Sequence, residues 1–163
     1  MSMKAGIALF ITLLLGNVAG RAQSVPVLKF DDLEQRIKRP NDTLYVVNFW
    51  ATWCAPCVKE LPLFESARKT YASQKVSVLL VSMDARKTLT SKVIPFVRNR
   101  KIGSNVVLLD EPDLNTWIDK LAPEWSGALP MTLVLNEKRN VRQFIGKPVK
   151  DGELESIINK LKH

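Results

Sequence analysis

The chain has 163 residues, 46% hydrophobic and 25% charged, a balance that fits one globular domain and excludes a disordered or coiled-coil chain. Two cysteines and one histidine exclude a disulfide-rich scaffold, and cannot complete a four-ligand structural zinc site within one chain unless carboxylates help. The net charge of +8 raises the question of nucleic acid, but the densest basic run, Arg98-Asn99-Arg100-Lys101, is short and no aromatics alternate with the bases. A solvated basic surface and no nucleic-acid partner are expected.

In chain order, residues 1–22 read as a secretory signal peptide. Lys4 is the only charge before Arg21, the apolar stretch Ala5 to Leu15 follows it, and the small residues Gly16, Ala19, Gly20 and Ala22 come next. Cleavage is expected after Ala22, with Ala19 and Gly20 as alternatives. An uncleaved membrane anchor is the rival reading, although the apolar stretch falls short of the ~20 residues needed to span a bilayer. Cleavage after Ala22 removes Lys4 and Arg21 and leaves residues 23–163, a single domain of 141 residues with net charge +6. The expected location is outside the cytoplasm, the periplasm in a bacterial host, where disulfide chemistry is permitted.

Phe30, Leu33 and Ile37 recur at helical spacing, with Asp31 and Asp32 near the start where they suit the helix dipole. Asn41-Asp42 predicts a turn, and the almost continuous apolar run Leu44 to Trp50 predicts a strand buried on both faces. A helix is expected from Cys54 to Tyr71 with Pro62 inside it, then a second buried strand from Val76 to Val81. A helical stretch from about Ser91 to Arg100 is interrupted by Pro95; Val106 to Leu109 is a short strand, and Pro112 to Leu121 a further helix. Met131 to Leu135 and Val141 to Ile145 form a hairpin across a polar turn at Glu137 to Asn140, and Leu154, Ile157, Ile158 and Leu161 mark a final amphipathic helix. Strands separated by helices predict an α/β layer fold with parallel pairing and an antiparallel edge from the hairpin.

The motif carrying the chemistry is Trp53-Cys54-Ala55-Pro56-Cys57, which places both cysteines where a buried strand meets a helix. A purely structural staple is a weak explanation, because closing so short a loop removes little chain entropy, about 2 kcal/mol. A zinc half-site would need ligands from a second chain. Reversible redox chemistry remains. Unpaired N–H groups and the dipole at a helix N-terminus favour a thiolate, and lower a cysteine pKa from ~8.5 toward ~3.5–7.5. Cys54, at the cap, is expected to be the exposed nucleophile. Cys57, one turn in, is expected to attack a mixed disulfide and release the substrate. Pro56 suits the first turn, where its missing N–H costs nothing.

The run Val47 to Cys57, followed by Glu60-Leu61-Pro62, resembles the thioredoxin superfamily and, more narrowly, its TlpA/ResA-like exported thiol–disulfide oxidoreductases. The resemblance covers the whole mature chain. It implies a thioredoxin-like fold: a central mixed β-sheet flanked by helices, with an extra strand and helix around Val106 to Leu121 inserted before the cis-proline strand. Gly127 to Leu135 resembles that cis-proline segment, so the Leu129–Pro130 bond is expected to be cis and to face Cys54, with Leu129 backbone groups pairing with an extended substrate. Trp53, Ala55 and Pro56 are the expected substrate rim on the other side, Ala55 and Pro56 also tuning the potential. Trp50 is expected in the core, and Trp117 and Trp125 as packing residues. Thioredoxin carries a buried aspartate on the strand before its motif for proton transfer. Asn48 stands there in this chain and cannot titrate, so Glu60, which matches a glutamate of the ResA-like subgroup, becomes the candidate to exchange a proton with Cys57.

The resemblance implies a monomeric enzyme that needs no organic cofactor and no metal. It would reduce disulfides of exported proteins, including in cytochrome c maturation, and be recharged by a membrane thiol carrier. Three alternatives stand beside it: a peroxiredoxin-like peroxide reductase, a non-enzymatic polypeptide-binding adaptor and a zinc-bridged dimer.

Overall fold

The computed structural model describes residues 24–163, so the expected signal peptide, residues 1–22, lies outside the described residues. The first half of the described chain runs β1 (Val27–Leu28), α1 (Phe30–Ile37), β2 (Leu44–Trp50), α2 (Ala55–Thr70) and β3 (Val76–Ser82). The second half runs α3 (Ile94–Asn99), β4 (Asn105–Leu109), α4 (Ile118–Leu121), β5 (Met131–Asn136), β6 (Val141–Ile145) and α5 (Glu153–Leu161). The strands form one mixed sheet in the order β1-β4-β3-β2-β5-β6. The pairs on the β1 side of β2 are parallel, and β2–β5 and β5–β6 are antiparallel.

β2 is the centre of this sheet, and every one of its residues is buried. Side chains alternate across a strand, so the apolar run splits between two cores. Leu44, Val46 and Trp50 pack with Phe64 and Ala67 of α2, Val97 of α3 and Ile158 of α5. Tyr45, Val47 and Phe49 pack with Leu33 and Ile37 of α1 and with Trp117 and Trp125. Phe30 and Phe49 each stack on Trp117, at ring-centroid distances of 5.4 Å and 6.4 Å, and Phe49 also meets Trp125 at 5.0 Å. These contacts bind the second half of the chain to the face of β2 that leads into the cysteine motif.

Three elements differ from the sequence-based expectation. β1 has only two residues, too few for any periodicity, and exists because Val27 and Leu28 pair in parallel with Leu108 and Leu109. The expected helix from Pro112 to Leu121 shrinks to a 3-10 turn at Leu114–Thr116 and the four-residue α4. Trp117 lies between them with φ −140°, outside the helical region, as its ring turns into the Phe30–Phe49 stack. Pro95 interrupts nothing: it sits in the first turn of α3, after a π-helical turn at Leu89–Val93, where its missing N–H is harmless.

Trp117 is 2% exposed, and its indole N–H finds no acceptor among the described residues. Trp117→Ala should therefore cost ~3–5 kcal/mol of unfolding free energy. Trp117→Phe should cost markedly less, because it keeps the ring stack and removes an unsatisfied donor. Urea denaturation of the two variants checks the order, and equal losses would contradict this account of the core.

Candidate active site

β2 ends at Trp50 inside the sheet, and Ala51–Trp53 carries the chain to α2. The turn is held at both ends: Met83 N–H donates to Trp50 O at 2.8 Å and Cys54 N–H to Ala51 O at 3.1 Å. Cys54 is the N-cap of α2, its sulfur accepting from Cys57 N–H at 3.4 Å. The motif thus occupies the helix end at which backbone N–H groups lack intrahelical partners. Pro56 lies in the first turn, and Pro62 interrupts the ladder four residues after Val58 without ending the helix. Cys54 and Cys57 form a disulfide with a Cα–Cα distance of 5.3 Å.

Cys54 is less open than its cap position led us to expect. It is 6% exposed, against 0% for Cys57. What access it has is through a groove of about 560 Å³ that it lines with Trp53, Asp84, Leu114 and Leu129. Trp53 is 67% exposed, the exposed large hydrophobic residue of the described chain. Ala55 and Pro56 are exposed on the helix's first turn. The Leu129–Pro130 bond is cis, and Pro130 immediately precedes β5, whose Met131 pairs with Phe49 of β2. The structure therefore gathers Trp53, Cys54 and Leu129 around one groove, while Cys57 and Pro130 are buried.

Glu60 lies one turn beyond Cys57 on the inward face of α2 and is 2% exposed. One carboxylate oxygen accepts from Val149 N–H at 2.7 Å, and the other from the Asn48 amide at 2.9 Å. The same amide nitrogen lies 3.1 Å from Thr132 Oγ1, so the Asn48 amide ties β2 to α2 through the Glu60 carboxylate and to β5 through the Thr132 hydroxyl. Burial pushes the Glu60 carboxyl above the ordinary glutamate range, and the bonds from Val149 and Asn48 oppose this without cancelling it.

A second buried carboxylate had no signal in the sequence. Asp84 follows β3 and is 3% exposed. It accepts from Thr52 N–H at 2.9 Å, from Thr52 Oγ1 at 2.6 Å and from Ser82 Oγ at 2.9 Å. A lone aspartate at a strand end looks like any turn residue, and only the parallel pairing of β2 with β3, which sets Trp50 beside Ser82, brings it under the cysteine loop. Val149, in the loop before α5, was invisible for the same reason: it acts through its backbone N–H.

The raised pKa of Glu60 has a stability consequence. The folded carboxyl keeps its proton to higher pH than the unfolded one, so the folded state loses stability as pH rises above the ordinary glutamate range. In the disulfide form, where the thiols do not titrate, Glu60→Gln should remove this decline. The stability of the variant relative to wild type should then increase as pH rises above the ordinary glutamate range. Urea unfolding over that rise in pH checks it, and a constant difference would show that Glu60 does not titrate as its burial requires.

Comparison with known proteins places the chain. It is 30% identical over 93 residues to the thioredoxin-like protein YneN of Bacillus subtilis, covering 57% of this chain and 50% of that protein. It is 26% identical over 119 residues to the thiol-disulfide oxidoreductase ResA of Geobacillus kaustophilus, covering 71% and 62%. The chain thus spans between half and two thirds of the length of these relatives. A thiol:disulfide interchange protein of the thioredoxin family from Chlorobium tepidum has the same fold, with TM-score 0.64, 22% identity and coverage of 80% of this chain and 85% of that one. A thioredoxin-related protein from Neisseria meningitidis serogroup B superposes with TM-score 0.58, at 27% identity, covering 74% and 84%. The fold is thioredoxin-like, and since the AhpC/TSA family matches residues 22–144, the chain belongs to that family.

Proposed function

We propose that the protein is a thiol–disulfide oxidoreductase that donates electrons from the Cys54–Cys57 dithiol to disulfides of exported proteins. The observation carrying this reading is the placement of the pair: a disulfide at the N-terminus of α2, its outer sulfur on a groove and its inner sulfur buried. The relatives named thiol-disulfide oxidoreductase support it.

In the forward direction the Cys54 thiolate attacks one sulfur of a substrate disulfide and expels the other as a thiolate, leaving a mixed disulfide. Cys57 gives up its proton and attacks Cys54 Sγ. The Cys54–Cys57 disulfide forms, the second substrate sulfur leaves as a thiolate, and two electrons have passed to the substrate. Glu60 is the proposed acceptor for the Cys57 proton: it lies one helical turn away on the same buried face, and burial raises its pKa toward the range where a carboxylate takes protons well. Trp53, Ala55 and Pro56 on one side, and Leu129 and Pro130 on the other, are the proposed substrate contacts. A thiol carrier in the membrane would restore the dithiol. Residues 1–22 would direct export, the mature chain starting near Gln23 and acting as a monomer; the cytochrome c maturation role belongs to the same reading.

Two outcomes test this. Wild type should reduce a model protein disulfide, and Cys54→Ser should abolish turnover. Cys57→Ser should accumulate mixed disulfides with exported proteins that can be isolated and identified. A Cys57→Ser protein that traps nothing, while wild type reduces peroxide instead, would favour the peroxide-reductase alternative. Glu60→Gln should slow turnover and lower the titration midpoint of at least one thiol, since a carboxylate beside a thiolate disfavours the second negative charge. N-terminal sequencing of the exported protein should find Gln23 or a residue close to it, and an intact Met1 on a membrane-bound chain would overturn the cleaved-signal reading.

A further inference from the structure

We infer that Asp84 is a positioning residue that sets the redox balance of the dithiol, its buried charge opposing the thiolate at Cys54. This rests on the proposed dithiol chemistry but concerns a residue outside the motif. Asp84 shares the groove wall with Cys54. Both hydrogen bonds from Thr52, two residues before Cys54, end on its carboxylate, so it anchors the loop that presents the sulfur.

The other charges on the groove are already engaged. Arg86 pairs with Asp110 at 3.0 Å, and Lys29 reaches the same carboxylate at 3.3 Å. Glu111 accepts from Phe30 N–H at the start of α1. Glu60 lies beneath Cys57, held by Val149 and Asn48. Lys59, on the next turn of α2, is exposed to solvent. The Asp84 carboxylate accepts from neutral donors, Thr52 N–H, Thr52 Oγ1 and Ser82 Oγ, and among the described residues no cation pairs with it. A buried carboxylate compensated only by dipoles projects more of its charge onto a neighbour than a surface ion pair does. That charge raises the cost of a Cys54 thiolate, and so favours the disulfide over the dithiol.

The equilibrium that reads this is protein disulfide plus two glutathione thiols giving protein dithiol plus glutathione disulfide, two electrons passing to the protein. Asp84→Asn removes the charge while its amide oxygen still accepts from Thr52. It should lower the pH midpoint of Cys54 alkylation by about one unit. Measured above that midpoint, where the thiolate dominates, it should shift the glutathione equilibrium about tenfold toward the dithiol. Thr52→Val keeps the charge and deletes one donor, so it should move the Cys54 midpoint in the opposite direction, upward.

A merely structural role predicts the same direction for both variants, or no shift. An Asp84→Asn midpoint that is unchanged or raised overturns the inference. If Asp84→Asn does not fold, Thr52→Val decides alone, and a midpoint that fails to rise overturns it. Iodoacetamide labelling of the reduced full protein, read at Cys54 by mass spectrometry, needs no turnover. A wild type that labels normally yet reduces no disulfide therefore refutes the proposed function while leaving the effect of Asp84 measurable.

Discussion

β2 is buried along its whole length, gripped by β3 on one side in parallel and β5 on the other in antiparallel pairing. A strand in that position has no freedom of register, because a one-residue slip would exchange the side chains of its two cores. Its last residue, Trp50, is therefore fixed, and the short turn that follows can deliver Cys54 to only one place. The neighbours complete the site by the same constraint. β3 carries Asp84 beneath the turn, and β5 begins directly after Pro130. The rigidity of the cysteine pair is a property of the sheet more than of the motif.

The same strand explains the one polar side chain in its interior. Asn48 faces α2, and its amide reaches Glu60 and Thr132. A carboxylate buried without donors would be too costly to keep in a core of this size, and the Val149 N–H supplies the second bond it requires. Glu60 thereby links three segments that are remote in sequence, the motif helix, the central strand and the loop before α5. Removing its charge changes the electrostatics of the site and removes little packing.

Strong periodicity and local chemistry made much of this legible in advance. The buried run at Leu44 to Trp50, the helix opened by Cys54, the hairpin at Met131 to Ile145 and the terminal amphipathic helix all carry their signals within a few neighbouring residues. The two-residue β1 and the broken segment from Pro112 to Leu121 do not, because each takes its shape from a partner far along the chain, β4 in one case and the Phe30–Phe49 stack in the other. The site divides in the same way. Cysteine spacing and the Leu129-Pro130 context are local patterns, whereas the bonds from Thr52 to Asp84 and from Val149 to Glu60 span 32 and 89 residues and leave no trace in composition. The limited exposure of Cys54 was likewise unreadable, since a cap position says nothing of what the rest of the chain packs around it.

These placements bear on the direction in which electrons would flow. A helix N-terminus contributes about half an elementary positive charge, and its benefit to a nearby anion runs from about 0.3 kcal/mol at an exposed site to about 2 kcal/mol in a partly buried one. A carboxylate contributes a full negative charge, and in a buried setting it is screened less than one at the surface. Asp84 lines the groove with Cys54, and Glu60 lies one helical turn from Cys57, so the dipole that favours a thiolate would meet opposition from both carboxylates. Because burial raises the Glu60 pKa, its share of that opposition grows as pH rises. A strong oxidant needs the reverse arrangement, a thiolate stabilised so well that the disulfide is eager to open. Carboxylates near both cysteines would favour the disulfide over the dithiol, which supports the proposed direction, from the dithiol to a substrate.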